Sequence, residues 1–208
     1  DDVTQAQIDS APLLVEIIEG ETIDEDNPGV FIDKKYTLTA PVGYTFVSPL
    51  TTMVQSEIED SGISREEAEG SVQAKLGTTL DLEADYVAGS NSGADTDEFE
   101  RLHKIARVTT VVLQTNIALV EDVLTETETS FEDLLGLVVS QVLEAFNTIT
   151  EQGEAVGENF DPTVIAESDN IDDANVNAAT LEDDIAEREA AREIADANIA
   201  EVLGGEES

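Results

Sequence analysis

The chain has no cysteine and no tryptophan, and it contains one histidine, His103, and three tyrosines. Without cysteine there can be no disulfide, no thiolate catalysis and no zinc-finger site. A catalytic zinc normally needs more nitrogen ligands than one histidine supplies, and a general base needs an orienting partner. We therefore expect His103 to be a structural or surface residue, and the scarcity of aromatic side chains argues against a sugar-stacking cleft.

Motifs of common enzymes are also missing. The sequence has no G-x-S-x-G turn and no glycine-rich phosphate loop before a helix. We predict that the protein is not an enzyme and that it has no catalytic residues. No run of about 18 apolar residues occurs, so we expect no direct membrane insertion. The chain starts at "DDVTQAQIDSAP", which we interpret as a mature N-terminus left after removal of a signal peptide.

Basic residues are scarce as well: 9 lysines and arginines stand against 48 acids, and the formal net charge is −39. Such a charge disfavours nucleic acid as a partner and opposes both folding and association in dilute buffer. Salt would screen the repulsion, since the Debye length is about 3 Å at 1 M. Calcium would neutralise individual carboxylates. We predict an extracellular or cell-surface protein in seawater or brine; a salt-adapted protein of a high-salt cytoplasm explains the acidity equally well.

Hydrophobic patterning divides the chain near residue 48. Before that point, "PLLVEIIEG", "GVFID" and "KYTLTAPVGYTFV" are rich in β-branched and aromatic residues and are separated by glycine and proline, which predicts three or four short strands. After it, serine and aspartate at capping positions predict helices. These helices cover about residues 48–60, 64–76, 97–125 and 131–149, the last lying in the middle of the core.

The predicted fold class is α+β, with a small N-terminal antiparallel β-sheet (a partial sandwich) followed by a helical bundle with a C-terminal alanine-rich helix. We divide the chain into a β region (1–47), a helical bundle (48–152), an acidic connector (153–180) and a C-terminal helix with its tail (181–208). Arg188 and Arg192 interrupt the apolar positions of this last helix. It therefore either closes the bundle or binds another partner.

Calcium is the one cofactor that the residues invite, because it prefers carboxylate and amide oxygens. No stretch matches the EF-hand pattern, and isolated acidic loops are the alternative interpretation. The first choice is the loop "DEDNPGVFID", whose ligands would be Asp24, Asp26, Asn27 and Asp33. The second is "DLEADYVAGSNSGADTDEFE", whose ligands would be Asp81, Glu83, Asp85, Asp95 and Asp97. A third stretch contains Asp169, Asn170, Asp172 and Asp173.

The stretch "YTLTAPVGYTFVSPLTTMVQ", followed by "LHKIARV", resembles a strand-to-helix module of exported and cell-surface proteins and lipoproteins of marine Gram-negative bacteria. The resemblance covers about residues 36–114. It implies export and life at the cell surface, and it transfers no catalytic residue. In such proteins acidic loops often precede the strands, and "DEDNPG" looks like a degenerate copy.

Two classes of function remain open. The first is an extracellular structural protein that associates with copies of itself or with other surface proteins in a filament, matrix or surface layer. Its association would use β-strand addition by the first strand. The alternative interpretation of this segment is an ordinary first strand in its own sheet. The residues of this assembly strand are Leu13, Leu14, Val15, Ile17 and Ile18. The second class is a monomeric exported binding module for a small apolar ligand or a surface partner.

Overall fold

The computed structural model describes residues 11–23, 29–91, 95–124, 131–151 and 180–204. Within them the predicted α+β class is confirmed. The strands are β1 (Leu13–Ile17) and β2 (Tyr36–Ala40). The helices are α1 (Pro49–Ser61), α2 (Arg65–Leu76), α3 (Tyr86–Asn91), α4 (Thr96–Leu124), α5 (Phe131–Glu151) and α6 (Leu181–Gly204).

In the described residues the sheet has two strands, fewer than the three or four predicted. β1 and β2 pair antiparallel in the register Leu13–Ala40 to Ile17–Tyr36. The segment predicted as a further strand, "GVFID", contributes only an isolated bridge between Ile23 and Phe31. Left-handed glycines at Gly20 and Gly29 interrupt the extended backbone there. Residues 18–23 and 29–33 form an irregular extension of the sheet, which we call the β arm. Within the described residues a helix, α1, and not a second sheet packs on β2.

Helices α1 and α2 begin where their capping residues predict. Ser48 and Ser64 form capping boxes with Thr51 and Glu67, respectively, and proline occupies the first turn of α1. Each helix ends at a left-handed glycine, at positions 62 and 77. These signals lie within a few residues of the helix ends, which is why the sequence shows them.

The acidic stretch named as the second choice for calcium contains a short helix that the sequence analysis did not predict, α3. Asp85 starts this helix, and its side chain accepts a hydrogen bond of 2.9 Å from the Ala88 amide. Tyr86 buries its ring in the core. A helix of 6 residues is too short for its apolar positions to repeat, so periodicity cannot reveal it.

The core lies between the sheet and the helices and includes residues from both strands and all six helices. As predicted, α5 lies within it, and every residue from Leu135 to Val139 is buried. Helix α1 is more deeply buried than its apolar stripe indicates, because the eight residues from Pro49 to Ser56 are all buried. Four of them are polar, and each makes a hydrogen bond, which compensates for lost hydration.

Helix α6 packs on α1 and α5, so its described N-terminal half closes the bundle. Leu181 and Ile185 are buried there, whereas Ile194 is 64% exposed. Arg188 makes an ion pair of 2.7 Å with Asp60 at the C-terminal end of α1. Its guanidinium lies against Gly136 of α5, where a Cβ atom would stand 2.5 Å from Nη1. The arginine that interrupts the apolar positions of α6 is therefore a docking residue.

Candidate functional site

The outer edge of β2 is closed by two threonines of α1. Thr52 Oγ1 accepts a hydrogen bond of 3.0 Å from the Thr39 amide. The Thr39 carbonyl lies 3.1 Å from the hydroxyl groups of both Thr51 and Thr52. Because both backbone groups of Thr39 are used by α1, no further strand can be added there.

The same contacts determine which backbone groups of β1 point away from the sheet. The backbone amide and carbonyl of Thr39 point away from β1. Because the direction of these groups alternates along an antiparallel strand, the hydrogen-bonded pairs are Leu13–Ala40, Val15–Leu38 and Ile17–Tyr36. The amides and carbonyls of Leu14 and Glu16 then point toward the opposite edge. In the described part of the chain, β1 pairs only with β2, so this edge has the geometry to accept another strand.

Exposed apolar side chains concentrate around this edge. Of the nine large hydrophobic residues that are substantially exposed in the described chain, eight belong to β1, the β arm or the turn after β2. They are Leu13, Leu14, Val15, Ile18, Ile23, Val30, Phe31 and Val42. Exposed apolar residues that are concentrated in one part of the described chain favour an interaction surface there. We call these eight residues the apolar surface.

The predicted assembly strand is thus mostly at the surface. Leu14 is 63% exposed, and Leu13, Val15 and Ile18 are between 40% and 47% exposed. Ile17 is only 8% exposed and belongs to the core. Successive residues of a strand alternate between its two faces, and Ile17 belongs to the core cluster together with Tyr36 and Leu38.

A cleft of about 240 Å³ opens next to the apolar surface. One wall consists of the sheet and the β arm, and the opposite wall consists of α3, α4 and the segment before α1. Its main apolar lining residues are Ile17, Ile23, Ile32, Leu38, Phe46 and Val87. On the α4 side the cleft reaches His103 and Arg107, one turn apart on that helix.

The segment between β2 and α1 is fixed in place by carboxylates from α2 and from the loop that follows it. Tyr44 Oη donates to Glu69 at 3.0 Å, and burial, followed by this hydrogen bond, raises the pKa of Tyr44. Glu83 accepts from the Thr45 amide and the Thr45 hydroxyl, at 2.5 and 2.9 Å. These contacts place Phe46 against the Tyr86 ring, with centroids 5.8 Å apart in an edge-to-face arrangement.

His103 is half-buried in the cleft wall, and its ring lies 5.7 Å from that of Tyr86. The structural or surface role expected for His103 stays a prediction, and the residue also lines the cleft. Nothing in the sequence reveals this, because Tyr86 and His103 come from different helices. The cleft is the feature that sequence reasoning missed.

The first-choice calcium loop lies mainly outside the described residues. Asp24, Asp26 and Asn27 belong to the range 24–28, and Asp33 is exposed at the end of the β arm. The third stretch, with Asp169 to Asp173, also lies outside them. Calcium binding by these two stretches therefore stays a prediction.

The second-choice residues have structural roles in the described chain. Asp81 accepts from the Glu83 amide at 2.8 Å, Glu83 binds Thr45, and Asp85 caps α3. Asp95 stands in the left-handed region with φ 64° directly before α4, and Asp97 lies in the first turn of that helix. Among the described residues no three acidic or histidine side chains are grouped so that they could hold a metal ion.

Comparison of the chain with protein-family models, curated proteins and solved structures finds no match in any of the three. No helix in the described ranges is both long and apolar enough to cross a membrane. Function must therefore be argued from the surface and the cleft themselves.

Proposed function

We propose that this chain is a non-enzymatic, extracellular structural protein that associates with copies of itself. In this proposal it is a subunit of a filament, matrix or surface layer, and the first contact between subunits is strand addition at the open edge of β1. The observation that carries the proposal is the coincidence of this edge with the apolar surface. Export is supported by the resemblance of residues 36–114 to a cell-surface module, whereas the charge of −39 fits an exported protein and a salt-adapted cytoplasmic protein equally well.

A second copy is the occupant that the geometry favours. An antiparallel strand pair is self-complementary, so β1 of one copy can pair with β1 of another about a twofold axis. Because α1 closes the β2 edge, this contact joins two copies and then stops. Growth into a larger assembly needs a second surface, and the exposed Ile23, Val30 and Phe31 of the β arm supply one.

Charge makes this association depend on cations. Two chains of formal charge −39 repel each other strongly in dilute buffer, whereas about 1 M salt reduces the Debye length to about 3 Å. Millimolar calcium would act in the same direction by binding carboxylates. The proposal therefore places association in a cation-rich medium and assigns no fixed calcium site.

Light scattering coupled to size-exclusion chromatography tests the proposal on the full chain. We expect monomers in dilute chelating buffer and dimers or larger species in about 1 M sodium chloride or in millimolar calcium. Electron microscopy of the high-salt sample shows whether the larger species are ordered. A chain that is monomeric in all three media contradicts the proposal.

Two variants locate the contact. Glu16→Pro removes an amide that points to the open edge, and it leaves the hydrogen bonds between β1 and β2 in place. We therefore expect this variant to fold and to stay monomeric. Leu14→Ser removes a side chain that is 63% exposed, which we expect to weaken dimerisation roughly tenfold. The matched control is Ile194→Ser on α6, because Ile194 is 64% exposed but lies far along the chain from the apolar surface. Association that is equally strong in all three variants excludes the β1 edge.

A monomeric module that binds a small apolar ligand is the second candidate, and the cleft beside α4 favours it. Its walls are largely apolar, and a few polar groups meet at one side, as in many ligand sites.

A further inference from the structure

The backbone groups on the open edge of β1 are not equivalent, because the turn after the strand already uses those of Ile18. The Ile18 amide donates to Thr22 Oγ1 at 2.9 Å. The Ile18 carbonyl accepts from the amides of Glu21 and Thr22 at 3.1 and 3.0 Å. A partner strand at this edge therefore cannot bond to Ile18 unless the turn opens.

The other backbone groups on this edge restrict how a second β1 can pair with it. Two antiparallel copies about a twofold axis can use the groups of Leu14 and Glu16 with the axis at residue 14, 15 or 16. An axis at Glu16 would pair Leu14 with the backbone of Ile18 and would place two Glu16 side chains directly opposite each other, which is destabilising. An axis at Leu14 would pair Glu16 with Pro12, whose ring replaces the amide hydrogen that the pair needs. An axis at Val15 pairs Leu14 of each copy with Glu16 of the other, and every one of these amides and carbonyls then has a partner.

The distribution of charge favours the same register and a second copy as the partner. Glu16 is the only charged residue of β1, in a chain of formal charge −39. With the axis at Val15, Glu16 lies opposite the uncharged side chain of the partner's Leu14. The two Glu16 residues are then diagonal neighbours, about 7–8 Å apart. β1 is therefore a segment that another copy of this acidic chain can approach at a low electrostatic cost.

We propose that two copies of the chain pair through β1 in the register that places the twofold axis at Val15, an inference that rests on the proposed self-association. Val15 then faces the partner's Val15, and Ile17 faces the partner's Leu13. Ile17 shares one face of the sheet with Tyr36 and Leu38, and all three line the cleft. The partner's Leu13 therefore extends the apolar floor of the cleft, so that each copy contributes a residue to the other's site.

Disulfide cross-linking measures this register directly, because the natural chain has no cysteine. In the proposed register the two Cα atoms of residue 15 are about 4.5 Å apart, as in other directly opposed pairs without hydrogen bonds. This distance lies within the range that a disulfide spans. Val15→Cys should therefore form a disulfide-linked dimer when the full chain is mildly oxidised in about 1 M salt.

Covalent trapping also suits a weak contact. The ladder has roughly four hydrogen bonds, against about ten in a typical stable interface. We expect Val15→Cys to form the linked dimer at least about tenfold faster than Ile194→Cys, because strand pairing raises the effective concentration of the second thiol. Ile194 is 64% exposed on α6, so Ile194→Cys measures the rate of chance encounters.

Two neighbouring positions distinguish the registers. In the proposed register, two residues 14 or two residues 16 are diagonal neighbours about 7–8 Å apart, beyond the limit of about 7 Å for a disulfide. Leu14→Cys and Glu16→Cys should therefore each link no faster than Ile194→Cys. A mixture of these two variants should form the mixed disulfide, because residues 14 and 16 of different copies lie about 5.5 Å apart. Non-reducing gels with mass spectrometry identify the products, and circular dichroism confirms that each variant is folded.

The outcomes separate the register from self-association itself. If Leu14→Cys or Glu16→Cys alone links fastest, the axis lies at that residue, and the inference is overturned while strand addition stands. If the natural chain dimerises in high salt but no thiol in β1 links faster than Ile194→Cys, the contact lies elsewhere and the inference fails without self-association. A natural chain that is monomeric in high salt, with equally slow linkage in every variant, overturns both. That result is also the one expected if residues 1–10 or 24–28, which lie outside the described ranges, cover the edge.

Discussion

Gly136 gives the sharpest test of how the C-terminal helix is attached. Replacing a glycine in a helix interior with alanine usually stabilises a protein by about 1 kcal/mol, because alanine loses less conformational entropy. At Gly136 the added Cβ would lie 2.5 Å from Nη1 of Arg188. The guanidinium must therefore move, and its 2.7 Å ion pair with Asp60 breaks.

The cost of this break follows from the burial of the pair. The Arg188 side chain is 8% exposed and that of Asp60 22%. Burial raises the pKa of Asp60, whereas Arg188 lowers it, so the carboxylate needs the arginine to stay charged. Breaking a fully buried pair costs about 3–5 kcal/mol, and the partial exposure of Asp60 reduces this to about 2–3 kcal/mol. With the alanine gain subtracted, we expect Gly136→Ala to destabilise the protein by about 1–2 kcal/mol.

Gly70 is the matched control. It lies in the interior of α2, is exposed, and has nothing within 4 Å of its ideal Cβ position. Gly70→Ala should stabilise the protein by about 1 kcal/mol, which corresponds to a rise in melting temperature of about 2–4 °C. The two substitutions are chemically identical, and we expect them to change the free energy of unfolding in opposite directions.

Urea unfolding followed by far-ultraviolet circular dichroism in about 1 M salt measures both effects. A double-mutant cycle completes the test: in an Arg188→Ala background, Gly136→Ala no longer meets the guanidinium and should be neutral or stabilising. If Gly136→Ala stabilises the otherwise unchanged chain as Gly70→Ala does, the docking of α6 through Arg188 is refuted.

Two further predictions concern the sheet edge and the response to acid. Thr52→Val leaves the Thr39 amide without its acceptor and should lower the free energy of unfolding, measured with urea, by about 1–3 kcal/mol. Thr52→Ser keeps the hydroxyl and should lower it less. Equal losses of stability in the two variants would show that the hydroxyl is not the reason. A hydrogen bond from Arg101 lowers the pKa of Glu98 below its ordinary 4.5. The stabilisation of the folded state by this contact is therefore present above pH 4.5 and is lost as the pH falls through the lowered pKa of Glu98. The difference in unfolding free energy between the natural chain and Arg101→Gln should therefore narrow as the pH falls, as measured by urea titrations at several pH values. It should not vanish, because Arg101 also donates to the carbonyls of Leu76 and Gly77 at the C-terminal end of α2. A difference that is independent of pH would contradict this.

Much of the helical architecture is present in the sequence because the signals are local. The capping serines before α1 and α2 and the terminal glycines act within one turn of the helix ends. The apolar periodicity of the segment that forms α5 shows that it lies in the core. Helix α3 escapes this reasoning because Asp85 and Tyr86 carry its only signals, and a single capping residue with one aromatic is common in loops.

The sequence by itself determined the five longer helices, the scarcity of aromatic and basic residues, and the charge of −39. These are properties of composition and of neighbours along the chain. Only the tertiary structure decided which sheet edge is open, since the Thr39 backbone must meet two threonines of α1 before β2 is closed. It also decided that Arg188 is a docking residue beside Gly136 and that a cleft lies beside His103. Each of these features depends on contacts between elements that are far apart in the sequence, and such contacts exist only after the core has formed.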